Sequence, residues 1–137
     1  LNRLRQLAKG HDNIIFRGHM SGIDQVAEAL VNADVFVLAS YGFDTQAMTI
    51  GEAATAGLPI IYCDPRLTVG VNKDNSILTD GPEVEYFAAA MQQLAADPKK
   101  RRAMGQASLK LAPELTPDRM AEKYLQLYRD AISKRKA

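Results

Sequence analysis

Apolar positions in the first half of the chain alternate between two rhythms. Leu1, Leu4, Leu7 and Ala8 fall at helical spacing and predict a helix over residues 1–9, which Gly10 ends because glycine readily takes the left-handed cap conformation. Residues 13–17 form a short apolar run that reads as a buried strand. Ile23, Val26, Ala27, Leu30 and Val31 return to helical spacing and predict a helix over about 22–32, with Ser21 as its cap. Residues 34–39 read as the next strand and roughly 46–56 as a helix that Gly57 stops. Leu58 to Tyr62, rich in β-branched residues, reads as another strand. Turn residues dominate from Asp64-Pro65 to Asp74-Asn75, and Ser76 to Thr79 closes the strand series.

The remainder is helical in pattern. Asp80-Gly81-Pro82-Glu83 starts a helix that ends near Ala96. Asp97-Pro98 starts another, with Asp as cap and Pro in the first turn. Thr116-Pro117-Asp118 repeats that signal. The last helix is expected to bury Met120, Tyr124, Leu127, Tyr128 and Ala131 on one face, and its terminal Lys134-Arg135-Lys136 complements the helix dipole. Strands alternating with helices predict an α/β fold: a Rossmann-like parallel sheet of about four strands with helices on both faces, followed by a C-terminal helical segment. No repeat or linker divides the chain, so residues 1–137 read as one domain.

Composition narrows the picture. The 137 residues carry 17 basic and 16 acidic side chains, which gives no electrostatic case for a nucleic-acid partner. The single cysteine, Cys63, cannot form an internal disulfide and reads as a small core residue in a reducing cytoplasm. No apolar run approaches the roughly 20 residues of a membrane span. The Lys99-Lys100-Arg101-Arg102 run reads as a solvated face; a peripheral contact with acidic lipid at the inner membrane face is the alternative. His11, His19 and Cys63 do not have metal-ligand spacing. There is no initiator Met, and the opening residues already lie inside an amphipathic pattern; the expectation is a piece of a longer protein.

The segment from Asp44 to Pro59 carries the chemistry. A strongly apolar strand leads into a short polar loop, a carboxylate, a helix start and a second carboxylate, Glu52. The first amides of a helix have no intrahelical partner and favour anions. With the helix starting near Gln46, Glu52 lies roughly 9 Å further along the axis. That separation suits a long ligand with a phosphate in the middle and hydroxyl-rich groups at each end.

This segment closely resembles the donor-sugar signature of GT-B glycosyltransferases, in particular retaining family 4. There a carboxylate is followed by seven residues and then Glu-Ala-x-Ala-x-Gly-x-Pro, and Glu52-Ala53-Ala54-Thr55-Ala56-Gly57-Leu58-Pro59 matches the second half. Asp44 stands where the family usually has Glu, and Gln46-Ala47 where it has Phe-Gly. Ile15-Phe16-Arg17-Gly18 and Ala33-Asp34-Val35-Phe36-Val37-Leu38-Ala39-Ser40 resemble two further family segments, so the resemblance covers about residues 1–130. It implies a donor-binding C-terminal domain lacking its first strands, with the acceptor bound by a separate N-terminal domain of the parent chain.

The resemblance also implies roles. Glu52 would bind the ribose hydroxyls of the nucleotide; the alternative is an ordinary helix Glu. Asp44 would be the catalytic carboxylate, contacting hydroxyls of the transferred sugar; the alternative is a helix N-cap, and both can hold. Thr45, Gln46, Ala47, Met48 and Thr49 would meet the diphosphate largely through backbone amides, with Thr49 Oγ1 either a further donor or bonded to its own backbone. Gly18, His19 and Met20 would lie beside the nucleotide base, His19 as a loop histidine rather than a base. Arg66 and Lys73 lie in the loop after Tyr62, where they meet phosphate or acceptor or are simply solvated.

The expected activity is transfer of a sugar, hexosyltransferase-like, from a UDP-, GDP- or ADP-sugar to a glycan, lipid or surface polymer with retention. No cofactor or obligatory metal is expected. This chain alone, holding half the cleft, is expected to transfer nothing. The alternative is a non-catalytic nucleotide- or sugar-phosphate-binding module or partner subunit, which the departures at 44, 46 and 47 would suit. A response-regulator-like domain ranks lower, because the acidic cluster it needs near its start is absent.

Overall fold

Ile60, Ile61 and Tyr62 are β-branched or aromatic and buried on both sides, which makes them the centre of a sheet rather than an edge. In the computed structural model, which describes residues 2–44 and 47–135, this strand is β2 (Ile60–Tyr62). It is flanked by β1 (Phe36–Leu38) and β3 (Ser76–Leu78) in the order β1-β2-β3, both pairings parallel. Phe36 lies opposite Ile60 and Leu38 opposite Tyr62; Ile61 lies opposite both Val37 and Ile77.

The period of two along β2 splits the core into two layers. Ile60 and Tyr62 pack with Ile50, Ala53 and Ala54 of helix α3 (Met48–Thr55), together with Phe36, Leu38 and Leu67. Ile61 and Cys63 face the other way, onto Phe87, Ala90 and Leu94 of α4 (Val84–Ala96) and Met104 of α5 (Pro98–Leu111). Helices therefore cover both faces of a Rossmann-like parallel sheet, as the alternation of elements predicts. The β2-to-β3 crossover has no helix; Leu67 from that loop fills the α3 layer instead.

Helix ends follow local chemistry where the sequence offers a good cap. Asp97 accepts from the Lys100 amide at 2.9 Å and Pro98 opens α5, as expected. Thr116 Oγ1 accepts from Arg119 N at the start of α6 (Pro117–Arg135). Gly57 (φ +78°) ends α3 with the Gly57 amide on Ala54 O and the Leu58 amide on Ala53 O, a Schellman pair that needs the left-handed conformation.

Four expectations are corrected. Residues 13–17 pair with no strand among the described residues, and Ile15 is 75% exposed. A strand is made by its neighbours, so three strands form rather than four. Helix α2 (Ile23–Val31) is capped by Gly22 rather than Ser21, in extended conformation and without a side-chain bond. Helix α6 buries none of its residues: Met120, Tyr124, Leu127 and Tyr128 are exposed, because nothing in the described residues covers the apolar stripe. Arg101 is not part of a solvated face. Its guanidinium donates to Leu94 O at 2.6 Å and Ala95 O at 3.0 Å, satisfying carbonyls that the end of α4 leaves open.

The first helix, α1 (Asn2–Leu7), is shorter than expected. A 3-10 turn over Ala112–Leu115 joins α5 to α6. Among the described residues no helix is long and apolar enough to cross a membrane.

Candidate functional site

Parallel strands deliver their exits to the same edge of a sheet, and ligands of open α/β sheets bind there. The exit of β1 is the loop from Ala39 to Ala47, which leads into α3. The exit of β2 is Cys63 and Asp64, immediately alongside.

Helix α3 begins at Met48, with Ala47 as its N-cap in extended conformation (φ −74°, ψ 99°), a residue with no side-chain acceptor to offer. Its first turn closes through Ile50 N on Ala47 O. Asp44 is therefore not the N-cap residue of this helix: it stands three positions before Ala47. Asp44 is partly buried, and Met48 and Thr49 are exposed at the helix mouth. Because the helix starts at Met48 rather than Gln46, Glu52 lies about 6 Å along its axis instead of 9 Å. Thr45 and Gln46 lie outside the described residues.

Glu52 is exposed and lines a cleft of about 260 Å³ with Met20, Ser21, Gly22, Ile23, Val26 and Ala27, the N-terminal turns of α2 and the loop before them. The structure thus brings Met20 and Glu52 together from distant parts of the sequence. Gly18 and His19 are exposed and do not line this cleft. A larger hollow of about 560 Å³, with Lys73, Lys100 and Lys110 on its walls, lies by the beginning of β3, at the opposite edge of the sheet from the β1 exit. Its size is no reason to place the chemistry there.

The feature that sequence reasoning missed is Asp64. It is 1% exposed, and its carboxylate takes four donors: the Gly42 amide at 2.9 Å, the Arg66 amide at 3.0 Å, Arg66 Nε at 2.9 Å and Arg66 Nη2 at 2.6 Å. The Asp-Pro-Arg spacing carried a readable signal, since an Asp side chain commonly bonds the amide two residues on. Contact with Gly42, twenty-two positions back, had none. Cys63 reinforces the junction by donating its thiol to Ser40 O at 3.4 Å, and burial pushes that thiol's pKa up.

The Arg66 guanidinium, with help from the Gly42 amide, holds the Asp64 carboxyl well below the usual carboxylate range. A depressed folded pKa stabilises fully above the unfolded value, about 3.9, and that stabilisation is lost as pH falls through the folded value. Thermal midpoints of wild type and Asp64→Asn are therefore expected to differ near pH 6 and to converge as the pH falls from about 4 to about 2. Parallel curves over that window would show that Asp64 is not held as described.

Among the described residues no group of three or more His, Cys, Asp or Glu side chains is placed to hold a metal ion. The fold and its loop-to-helix mouth define a Rossmann-like α/β domain with an open helix N-terminus at the carboxyl edge of its sheet. The family model for glycosyl transferases of group 1 matches residues 1–111, and the chain belongs to that family. No curated protein matches the chain.

Proposed function

We propose that this chain is the donor-binding half of a glycosyltransferase that transfers a sugar from a nucleoside-diphosphate sugar with retention of configuration, and that its mouth at α3 takes the donor. The observation that carries this reading is the start of α3, whose N-cap Ala47 offers no side-chain bond, beside the β1 exit, with Glu52 one turn inside it and lining the cleft shared with α2. A carboxylate accepts two hydroxyl donors at once, the pattern a ribose presents. The helix N-terminus at Met48 and Thr49 suits the diphosphate, whose charge grows as the sugar departs and which the helix end stabilises without reorganising. Asp44, in the loop before α3, serves the transferred sugar. The acceptor binds in a separate domain of the parent protein, and no metal or cofactor takes part.

Titration of the full-length protein with UDP, GDP and ADP, followed by amide chemical shifts, tests this reading. One nucleotide should move the Met48 and Thr49 amides and the Glu52 region before any others. Shifts confined to the lysine-lined hollow near β3 would place the ligand elsewhere and sink the proposal.

A further inference from the structure

Two loops leave the same edge of the sheet, and the second holds the first. From the end of β2, Cys63 reaches Ser40 O and Asp64 reaches Gly42 N, so adjacent residues of one strand exit fix two points of the other loop. Among the described residues, the Asp64 carboxylate accepts three bonds from Arg66 and one, from the Gly42 amide, that crosses to the loop. That division is informative. A local turn lock needs Arg66 alone; the crossing bond to Gly42 extends the contact between the two strand exits beyond the Leu38–Tyr62 pairing and the Cys63–Ser40 bond.

Gly42 sits at φ +82°, and a Cβ there would lie 3.8 Å from Arg66 Nη2, so the guanidinium lies over the loop at the point where it turns. The Arg66 side chain is 60% exposed while Asp64 is covered, which puts the acid inside and the base outside as a lid on the junction. Asp44 is two residues past the last anchored position, and α3 begins four residues beyond Asp44. The Gly42 anchor thus lies two residues from Asp44 along the described chain.

We propose that Asp64 and Arg66 form a latch that positions the Ser40–Asp44 loop, and with it the Asp44 carboxylate, for the sugar of the donor. Asp64 is a positioning residue that acts through Gly42, and Arg66 acts through Asp64. The proposal rests on the donor-site reading above. It adds a specific consequence: weakening the latch costs binding of the sugar more than binding of the nucleotide, whose contacts lie on α3.

The test uses Arg66→Ala and Asp64→Asn in the full-length protein, with Arg66→Lys as the conservative variant. Calorimetry compares UDP with UDP-glucose, GDP with GDP-mannose and ADP with ADP-glucose, and hydrogen exchange follows residues 39–44. In Arg66→Ala, exchange at Gly42 should quicken, and affinity for the accepted nucleotide sugar should fall about tenfold while that for its bare nucleotide changes less than about threefold. Arg66→Lys, which keeps the charge and loses the fork, should fall between. Asp64→Asn, if it folds, should behave like Arg66→Ala; if it unfolds, Arg66→Ala decides alone. Quicker exchange with equal losses for sugar and nucleotide, or with no loss, makes the latch structural only and overturns the proposal. Failure of wild type to bind any of the six compounds overturns the donor-site reading and the positioning role with it, an outcome distinct from selective binding that the latch does not affect.

Discussion

Replacing Gly105 by alanine should destabilise the protein by about 2–3 kcal/mol, lowering its thermal midpoint by roughly 10 °C. In most helices the same change helps, because alanine is favoured over glycine by about 1 kcal/mol. Here a Cβ at Gly105 would run into the carbonyl oxygen of Gly57. That oxygen belongs to the Schellman turn ending α3, a backbone with little freedom to retreat. From the other side, a Cβ on Gly57 would meet Leu109 Cγ at 3.1 Å. The two glycines let α5 lie directly on the turn between α3 and β2, with Gly105 against Gly57 and Ser108 donating to Leu58 O. Gly51, inside α3, is the control: nothing lies within 4 Å of its added Cβ. Gly51→Ala should stabilise by about 0.5–1 kcal/mol. Chemical denaturation of both variants checks the pair, and a stable Gly105→Ala would mean that α5 does not press on Gly57.

Asn75→Ala should cost about 3 kcal/mol, since an unsatisfied buried polar group costs about 1–3 kcal/mol and more than one is left behind. Asn75 is wholly buried. Its Oδ1 accepts from Asn72 N at 2.7 Å, and its Nδ2 donates to Gly70 O at 2.9 Å and to Ser108 Oγ at 3.1 Å. Ser108 in turn donates to Leu58 O at 2.6 Å. One amide thus ties the β2-to-β3 loop to α5 and, through Ser108, to the entry of β2. The isosteric Asn75→Asp is the sharper version. It keeps the shape and loses both donors, and it sets a buried carboxylate against the Gly70 carbonyl. Denaturation midpoints should place Asn75→Asp at or below Asn75→Ala. An aspartate variant as stable as wild type would show that the two Nδ2 bonds contribute little.

Much of this architecture was legible in the residues because its determinants are local. The stop at Gly57, the Asp97-Pro98 start and the Thr116 cap each depend on a few neighbouring positions, and each stands as read. The same holds for the parallel sheet with helices on both faces. What failed depends on partners. Ile14, Ile15 and Phe16 have the composition of a strand, but pairing makes a strand, and no described segment pairs with them. The stripe on α6 was correctly spaced, yet spacing does not say what covers a stripe. Ser21 is a better cap than Gly22 in isolation; the backbone turns into the helix one residue later.

The polar residues of the loop after β2 were the least legible. Asp64 and Asn75 look like surface turn residues, and both are buried because each satisfies backbone groups that would otherwise lack partners. Arg101 looked like one of four solvated cations and closes the end of α4 instead. Of the candidate site, the strand, loop and helix around Asp44 and Glu52 could be placed from sequence. The joining of Met20 to Glu52, and of the loop after β1 to Asp64, required the fold.

The central claim is that α3 and Glu52 hold the nucleotide of a sugar donor. Calorimetric titration of UDP, GDP and ADP into the full-length protein, wild type and Glu52→Ala side by side, tests it most directly. One nucleotide should bind wild type and bind the variant more weakly by about 1–3 kcal/mol, the range for hydrogen bonds to a charged group. Equal binding to both proteins, or no binding of any nucleotide to folded wild type, would contradict the claim.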